Sequence, residues 1–201
     1  MGRRKKFENR LEIIVETAAR LFLEQGFENT TMEMVAKESN MGKATLYTEF
    51  KSKEDLMSAV IERYMQQSNQ KIRDKIDGAK GKYLPVLQDI LLDRVLTLYD
   101  RVNRHFHSAE ILMATRQGMH DRSKIKQQRD EERRLIANLL ERAAQQGEIA
   151  PCESYLQLAR LMRKALAGLY PPNVFDIARD EFGQDAGEVI SIFLSGLTRP
   201  R

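Results

Sequence analysis

The sequence predicts an all-α protein in which a small N-terminal three-helix domain containing a helix-turn-helix precedes a larger helical domain. Three observations carry this prediction. No run alternates apolar and polar residues with β-branched enrichment, as strands would. Apolar residues recur at three- and four-residue spacing throughout. Four short elements in the first quarter give way to longer ones, which sets a boundary near residue 60. A chain of 201 residues is long enough to bury a real core.

The first helix lies in "ENRLEIIVETAARLFLEQGF", where Leu11, Ile14, Val15, Ala18, Leu21 and Phe22 form one stripe and Gly26 supplies the stop. The second starts at "NTTMEMVAKES", where Thr30 and Glu33 match a capping box. Ser39-Asn40 ends it, since Asn tolerates a left-handed backbone. A third short helix covers about 42–48. Ser52 then caps a fourth, with Glu54 and Asp55 in its first turn, where the helix dipole favours acids. This fourth helix runs to Arg73 or Ile76, and "DGAKGKYL" breaks the pattern. Beyond it the spacing predicts helices over 84–106, 108–117, 122–146, 154–169, 175–182 and 185–197, with "YPPNV" as a firm interruption.

Composition narrows the function classes. Charged residues make up 31% of the chain, net charge is +4 and the pI is about 9.2, which suits an anionic partner without requiring one. Residues 1–56 hold ten basic and ten acidic side chains, so only their placement can favour an anion. Four basic residues crowd "MGRRKK", and Lys43, Lys51 and Lys53 surround the third helix. Residues 1–6 are expected to form a disordered solubilising tail; an arm reaching a minor groove is the alternative. Neither a signal-peptide run nor a membrane-length apolar segment appears, so the expected setting is soluble and cytoplasmic. The single cysteine, Cys152, is expected as a small, partly buried residue. No Ser/His/Asp order, metal cluster or phosphate loop suggests an enzyme, and no cofactor is expected. His105 and His107, two positions apart, diverge around a helix and make a poor metal pair.

The chemistry concentrates in residues 30–56. Two short helices joined by a tight turn make a helix-turn-helix. Val35, Met41 and Leu46 pin the helices together, and Ala36 is small where they cross. The outer face of the second helix then shows Lys43, Thr45, Tyr47 and Thr48. Hydroxyls and a lysine reach base edges in a major groove, and helix N-termini reach phosphates. A polar helical hairpin with no DNA role uses the same pattern. A helical interaction protein with a non-functional helix-turn-helix is therefore the rival reading.

"GFENTTMEMVAKESNMGKATLYTEFKSKEDL" resembles the DNA-binding segment of the tetracycline-repressor (TetR) family of bacterial transcriptional regulators. The likeness covers about residues 10–60. It implies a repressor that binds a palindromic operator as a homodimer and is released by a small-molecule effector, with the fourth helix acting as a lever. By position, it implies phosphate contacts for Thr31 and Lys53, groove positions for Lys43 and Thr45, a base contact for Thr48, and backbone packing for Tyr47. Asn40, Gly42 and Glu49 depart from residues that the family often carries there; Glu49 brings an acid near phosphates and receives no contact.

For 61–201 the resemblance implies effector binding and dimerisation. Tyr155, Leu158, Leu161, Met162, Ala165, Leu166 and Leu169 give one helix more apolar surface than one side needs. Gly187, Ser191 and Ser195 recur at four-residue spacing beside Val189, Ile190, Phe193 and Leu197. The expected dimer interface is Leu158, Met162, Leu166, Val189, Ile190, Phe193 and Leu197. The expected pocket residues are Tyr99, Phe106, Met113 and Met119, since aromatics and methionine suit an adaptable apolar cavity.

Overall fold

The computed structural model describes residues 2–104, 123–169 and 177–198, with side chains in the first segment described over 10–100. Among the described residues there are eight helices and no strand: α1 (Gly2–Gln25), α2 (Met32–Glu38), α3 (Lys43–Glu49), α4 (Lys53–Asp77), α5 (Leu84–Arg104), α6 (Ser123–Gln145), α7 (Tyr155–Ala167) and α8 (Arg179–Ser195). The protein is all-α.

The chain divides into two compact units. The first takes the chain through Met65 and the start of α6, to Lys126; the second takes 66–103 and 127–201. The division therefore falls a turn or more beyond residue 60, inside α4. No helix-breaking residue interrupts α4 there, so composition carries no mark of the change.

The first unit is built around Ile14, Ala18, Leu21 and Phe22 of α1, Val35 and Ala36 of α2, Leu46 of α3, and Leu56, Met57 and Val60 of α4. Gly26, at φ 83, ends α1, and its N–H bonds the Phe22 carbonyl at 3.2 Å. Helix α1 reaches back to Gly2, so the backbone of 2–6 belongs to a helix where a separate tail was expected. Arginine and lysine are good helix formers and extend it at little cost.

The cap of α2 also differs from expectation. Thr30 is fully buried and donates its hydroxyl to the Gly26 carbonyl at 2.8 Å. Thr31 is the N-cap and accepts from Met34 N–H at 3.2 Å. Of two adjacent threonines, the buried one satisfies the loop and the exposed one caps the helix. Ser52 accepts from Asp55 N–H at 3.1 Å at the start of α4, as the sequence suggests.

The second unit packs α5 through α8 with the C-terminal part of α4. Its core includes Ile72, Ile76, Leu87, Leu91, Val95, Leu139, Leu140, Met162, Phe182 and Ile190. Polar links join its helices. The buried Asn69 amide donates to the Gln128 backbone and side-chain oxygens, both at 3.0 Å. Arg73 meets Glu131 at 3.0 Å, and Arg94 pairs with the buried Glu132.

Helix α8 is continuous from Arg179, where two shorter elements were expected over 175–182 and 185–197. Gly183 does not break it. The position faces α5, where a Cβ would lie 3.4 Å from the Leu96 side chain, an ordinary contact. The Phe175 end of the shorter element and the helix expected over 108–117 lie outside the described residues. Cys152 is exposed, contrary to expectation, because it lies in the irregular stretch before α7.

Glu148 closes the N-terminus of α5. Its two carboxylate oxygens accept from the Tyr83 and Leu84 N–H groups, each at 2.8 Å. A carboxylate on the free amides of a helix start is favoured by hydrogen bonding and by the dipole. Replacing Glu148 with Ala is expected to destabilise the protein by about 1–2 kcal/mol, with Gln restoring part of the loss, read from denaturant midpoints.

Candidate nucleic-acid interface

The site is the α2–turn–α3 pair of the first unit. Asn40 takes the backbone to φ 54, the only non-glycine residue with positive φ among those described. Around it, Asn40 N–H bonds the Lys37 carbonyl at 3.1 Å and Met41 N–H bonds the Ala36 carbonyl at 2.9 Å. This double closure is a Schellman ending, with Asn in the place glycine usually takes. The buried Ser39 hydroxyl adds a bond to the Val35 carbonyl at 2.7 Å.

The turn leads into α3 through Gly42, which serves as N-cap with no side-chain bond. Leu46 is the buried residue of α3, at 0% exposure, and Val35 and Met41 pack in the same cluster. With Leu46 turned inward, the sequence "KATLYTE" must present its polar positions outward. Lys43 and Thr48 are exposed, Tyr47 is 41% exposed, and Thr45 and Glu49 are half-buried. Thr48 donates its hydroxyl to the Ala44 carbonyl at 2.8 Å, which leaves its oxygen lone pairs and methyl for another contact.

The two lysines expected at DNA, Lys43 in the groove and Lys53 at a phosphate, have partners within the protein. Lys43 Nζ lies 2.5 Å from Glu33 Oε1 and 5.9 Å from the centre of the Tyr47 ring. The hydrogen bond from Lys43 is the main cause holding the Glu33 carboxyl below its ordinary range, and the same bond raises the Lys43 ammonium above its own. Lys53 donates to the Phe27 carbonyl at 2.7 Å and the Glu28 carbonyl at 3.3 Å, and its ammonium lies 4.4 Å from the Phe27 ring centre. An ammonium has three N–H groups. Lys53 thus ties the α1–α2 loop to the start of α4.

From sequence, Glu33 was read only as the capping-box partner of Thr30, with no link to Lys43. It is ten positions from Lys43, on another helix, and only the turn brings the two together. The remaining expected residues lie in the second unit. Tyr99 is a packed core residue: it stacks on Phe182 at 4.6 Å and donates its hydroxyl to the Ile177 carbonyl. Phe106, Met113 and Met119 lie outside the described residues, as do His105, His107 and His120. Among the described residues no group of three metal-ligating side chains occurs.

Of the expected interface residues, Met162, Leu166 and Ile190 are buried in the chain's own core, so they cannot themselves present surface to a partner. Leu158, Phe193 and Leu197 are half-buried against it. Val189 is 42% exposed, together with Leu156 at 49%, Leu161 at 45% and Ile192 at 72%. No described helix is long and apolar enough to cross a membrane.

A buried turn, one inward leucine and an outward polar face define a helix-turn-helix. Comparison with known proteins agrees. The family model of bacterial regulatory proteins of the tetR family matches residues 14–60, the segment that holds α2, the turn and α3. The uncharacterised HTH-type transcriptional regulator YhgD of Bacillus subtilis is 35% identical over 82 residues, spanning 41% of this chain and 41% of that protein. The HTH-type regulator SAB2452 of Staphylococcus aureus is 48% identical over 61 residues, 30% of this chain and 32% of its own length. These matches thus span less than half of either relative.

Whole-fold likeness extends further. A TetR transcription regulator from Haloarcula marismortui aligns over 96% of this chain and 100% of its own, with TM-score 0.72 and 16% identity. FadR of Bacillus subtilis, solved in complex with stearoyl-CoA, aligns over 92% of this chain and 98% of its own, with TM-score 0.64 and 16% identity. At such identities the likeness is one of fold.

Replacing Lys53 with Met keeps most of the stem beside Phe27 but removes both carbonyl bonds. The expected loss is about 1–2 kcal/mol of stability, measured by denaturant unfolding with a probe in the first unit. An unchanged midpoint would remove the strut role.

Proposed function

We propose that this chain is a cytoplasmic DNA-binding transcriptional regulator that holds a palindromic operator as a homodimer, acts as a repressor, and is released by a small-molecule effector. The observation that carries the reading is the outward face of α3, where Lys43, Tyr47 and Thr48 are exposed while Leu46 is fully buried. In this reading α3 enters the major groove. Thr31 meets a phosphate at the start of α2, Lys43 and Thr45 stand at the groove, Tyr47 packs on the sugar-phosphate backbone, and Thr48 touches a base. Lys53 supports that surface through the α1–α2 loop, and its third N–H is the one left for a phosphate.

Surface apolarity supports the dimer. Leu161 on α7, with Val189 and Ile192 on α8, leaves apolar area uncovered beside the half-buried Leu158 and Phe193. A second copy would cover it and set two α3 helices about 34–36 Å apart, or a multiple of that, to meet successive major grooves. Effector binding in the larger unit would favour a dimer state in which that separation no longer fits. Linkage then requires operator DNA to weaken effector binding by the same factor.

The full chain can be offered a pool of random DNA duplexes. The expected outcome is enrichment of a two-fold-symmetric sequence, bound in a salt-dependent way. No enrichment would favour a helical interaction protein with a non-functional helix-turn-helix. On the enriched duplex, Tyr47→Ala is expected to weaken all sequences alike. Thr48→Ala is expected to change preference at one base pair by about 1–3 kcal/mol. Equal losses on every sequence for both variants would remove the base contact from Thr48.

The dimer has its own test. Ile192→Glu places a charge in the proposed interface at a position 72% exposed in the chain, so folding is expected to survive. Sedimentation should show a dimer for the wild type and a monomer for the variant. A variant that remains dimeric would move the interface elsewhere.

A further inference from the structure

The Glu33–Lys43 pair lies where an anion is expected from outside. Glu33 is in the first turn of α2, whose N-cap is Thr31, and Lys43 is the first residue of α3. Free amides and the dipole make a helix start attractive to a negative charge. Here that charge is supplied by the protein's own carboxylate, with the ammonium of the recognition helix drawn onto it at 2.5 Å. Both side chains are open to solvent, at 53% for Glu33 and 62% for Lys43.

Stability does not require the pair. Exposed ion pairs contribute little to folding, and α2 and α3 are already fixed by Leu46, Val35 and the closure at Asn40. Other pairs in this unit differ in position. Arg20 joins Glu24 and Glu38, and Arg63 joins Glu12 and Glu16; none of these involves a residue of α3. Glu33 holds a lysine of the surface that the proposed function turns towards DNA. As DNA approaches, the carboxylate faces phosphates of its own sign, and Lys43 can serve only one anion well.

We propose that Glu33 is an internal competitor of DNA: it occupies Lys43 in the free protein, and operator binding requires Lys43 to exchange that carboxylate for the nucleic acid. The inference rests on the DNA-binding reading above. Glu33 thereby lowers operator affinity and lessens its salt dependence, since Lys43 meets the DNA already neutralised. The carboxyl, held below its ordinary range, stays ionised at neutral pH and competes fully there.

The test is a double-mutant cycle on the duplex enriched by the wild-type full chain, using Glu33→Gln, Lys43→Met and both together. Glu38→Gln serves as a control, removing the same charge from the other end of α2. Glu33→Gln is expected to tighten binding about threefold to fivefold at low salt, the scale of an exposed ion pair. Its slope of log affinity against log salt should steepen by part of the ~0.9 that one phosphate contact contributes. In the Lys43→Met chain the same change should gain little, and Glu38→Gln should leave affinity near wild type. Thermal melts by circular dichroism verify that each chain folds.

Equal or weaker binding by Glu33→Gln would overturn the inference. So would a gain that persists in full without Lys43, because general repulsion would then account for it. A wild-type chain that selects no duplex defeats the DNA-binding reading itself, before any variant is compared.

Discussion

Asn40 carries the backbone through a left-handed turn, and the α2–α3 geometry depends on that one residue's φ of 54. The turn is closed twice, by bonds to the Lys37 and Ala36 carbonyls, and Ser39 adds a third bond from its buried hydroxyl. With the two helices so joined, Leu46 has one place to go. Its burial then fixes the rotation of α3 about its own axis. Every outward residue of α3 faces solvent as a consequence, since successive residues are separated by a fixed angle. Asn at the turn costs less in this conformation than most residues, because its short polar side chain tolerates it.

Charge in the first unit is arranged more than it is accumulated. Ten acids balance ten bases over residues 1–56, and several of them meet within the fold. Arg63 bridges to two glutamates of α1, Arg20 links α1 with α2, and Lys43 links α2 with α3. Lys53 differs in kind: its ammonium bonds backbone carbonyls and faces an aromatic ring. An interface for a polyanion therefore depends on which cations can change partners. A lysine paired with an exposed carboxylate can do so readily, while one bonded to carbonyls of a packed loop can do so only by loosening that loop.

Much of this was legible in the sequence because it follows from local chemistry. Gly26 marks the end of α1, and Ser52 caps α4 through a bond from Asp55 N–H. The helix-turn-helix could be read because its constraints fall within about twenty residues. What was misread depends on tertiary choice. Thr30 and Thr31 are equivalent on paper, and only the burial of Thr30 decides which one caps α2. Gly183 looks like a break, yet the helix runs through it on the buried Phe182, Ala186 and Ile190. Met162 and Ile190 belong to apolar helices whose inner and outer faces cannot be told apart by periodicity when both are apolar. Tyr99 suits a cavity by composition, but Phe182 and the Ile177 carbonyl occupy its ring and hydroxyl.

The second unit shows how polar groups can fix what an apolar core leaves free. Apolar layers of leucine and isoleucine specify register less sharply than buried polar pairs do, because apolar burial has no direction. The contacts of Asn69 with Gln128 and of Arg94 with Glu132 do have direction. Sliding α4 along α6 by part of a turn would pull the Asn69 amide from both Gln128 oxygens, at 3.0 Å each, and leave it buried without partners. An unmet buried polar group costs about 1–3 kcal/mol, and a buried carboxylate separated from its arginine costs more. Within this unit, the Asn69–Gln128 contacts therefore hold the register of α4 against α6.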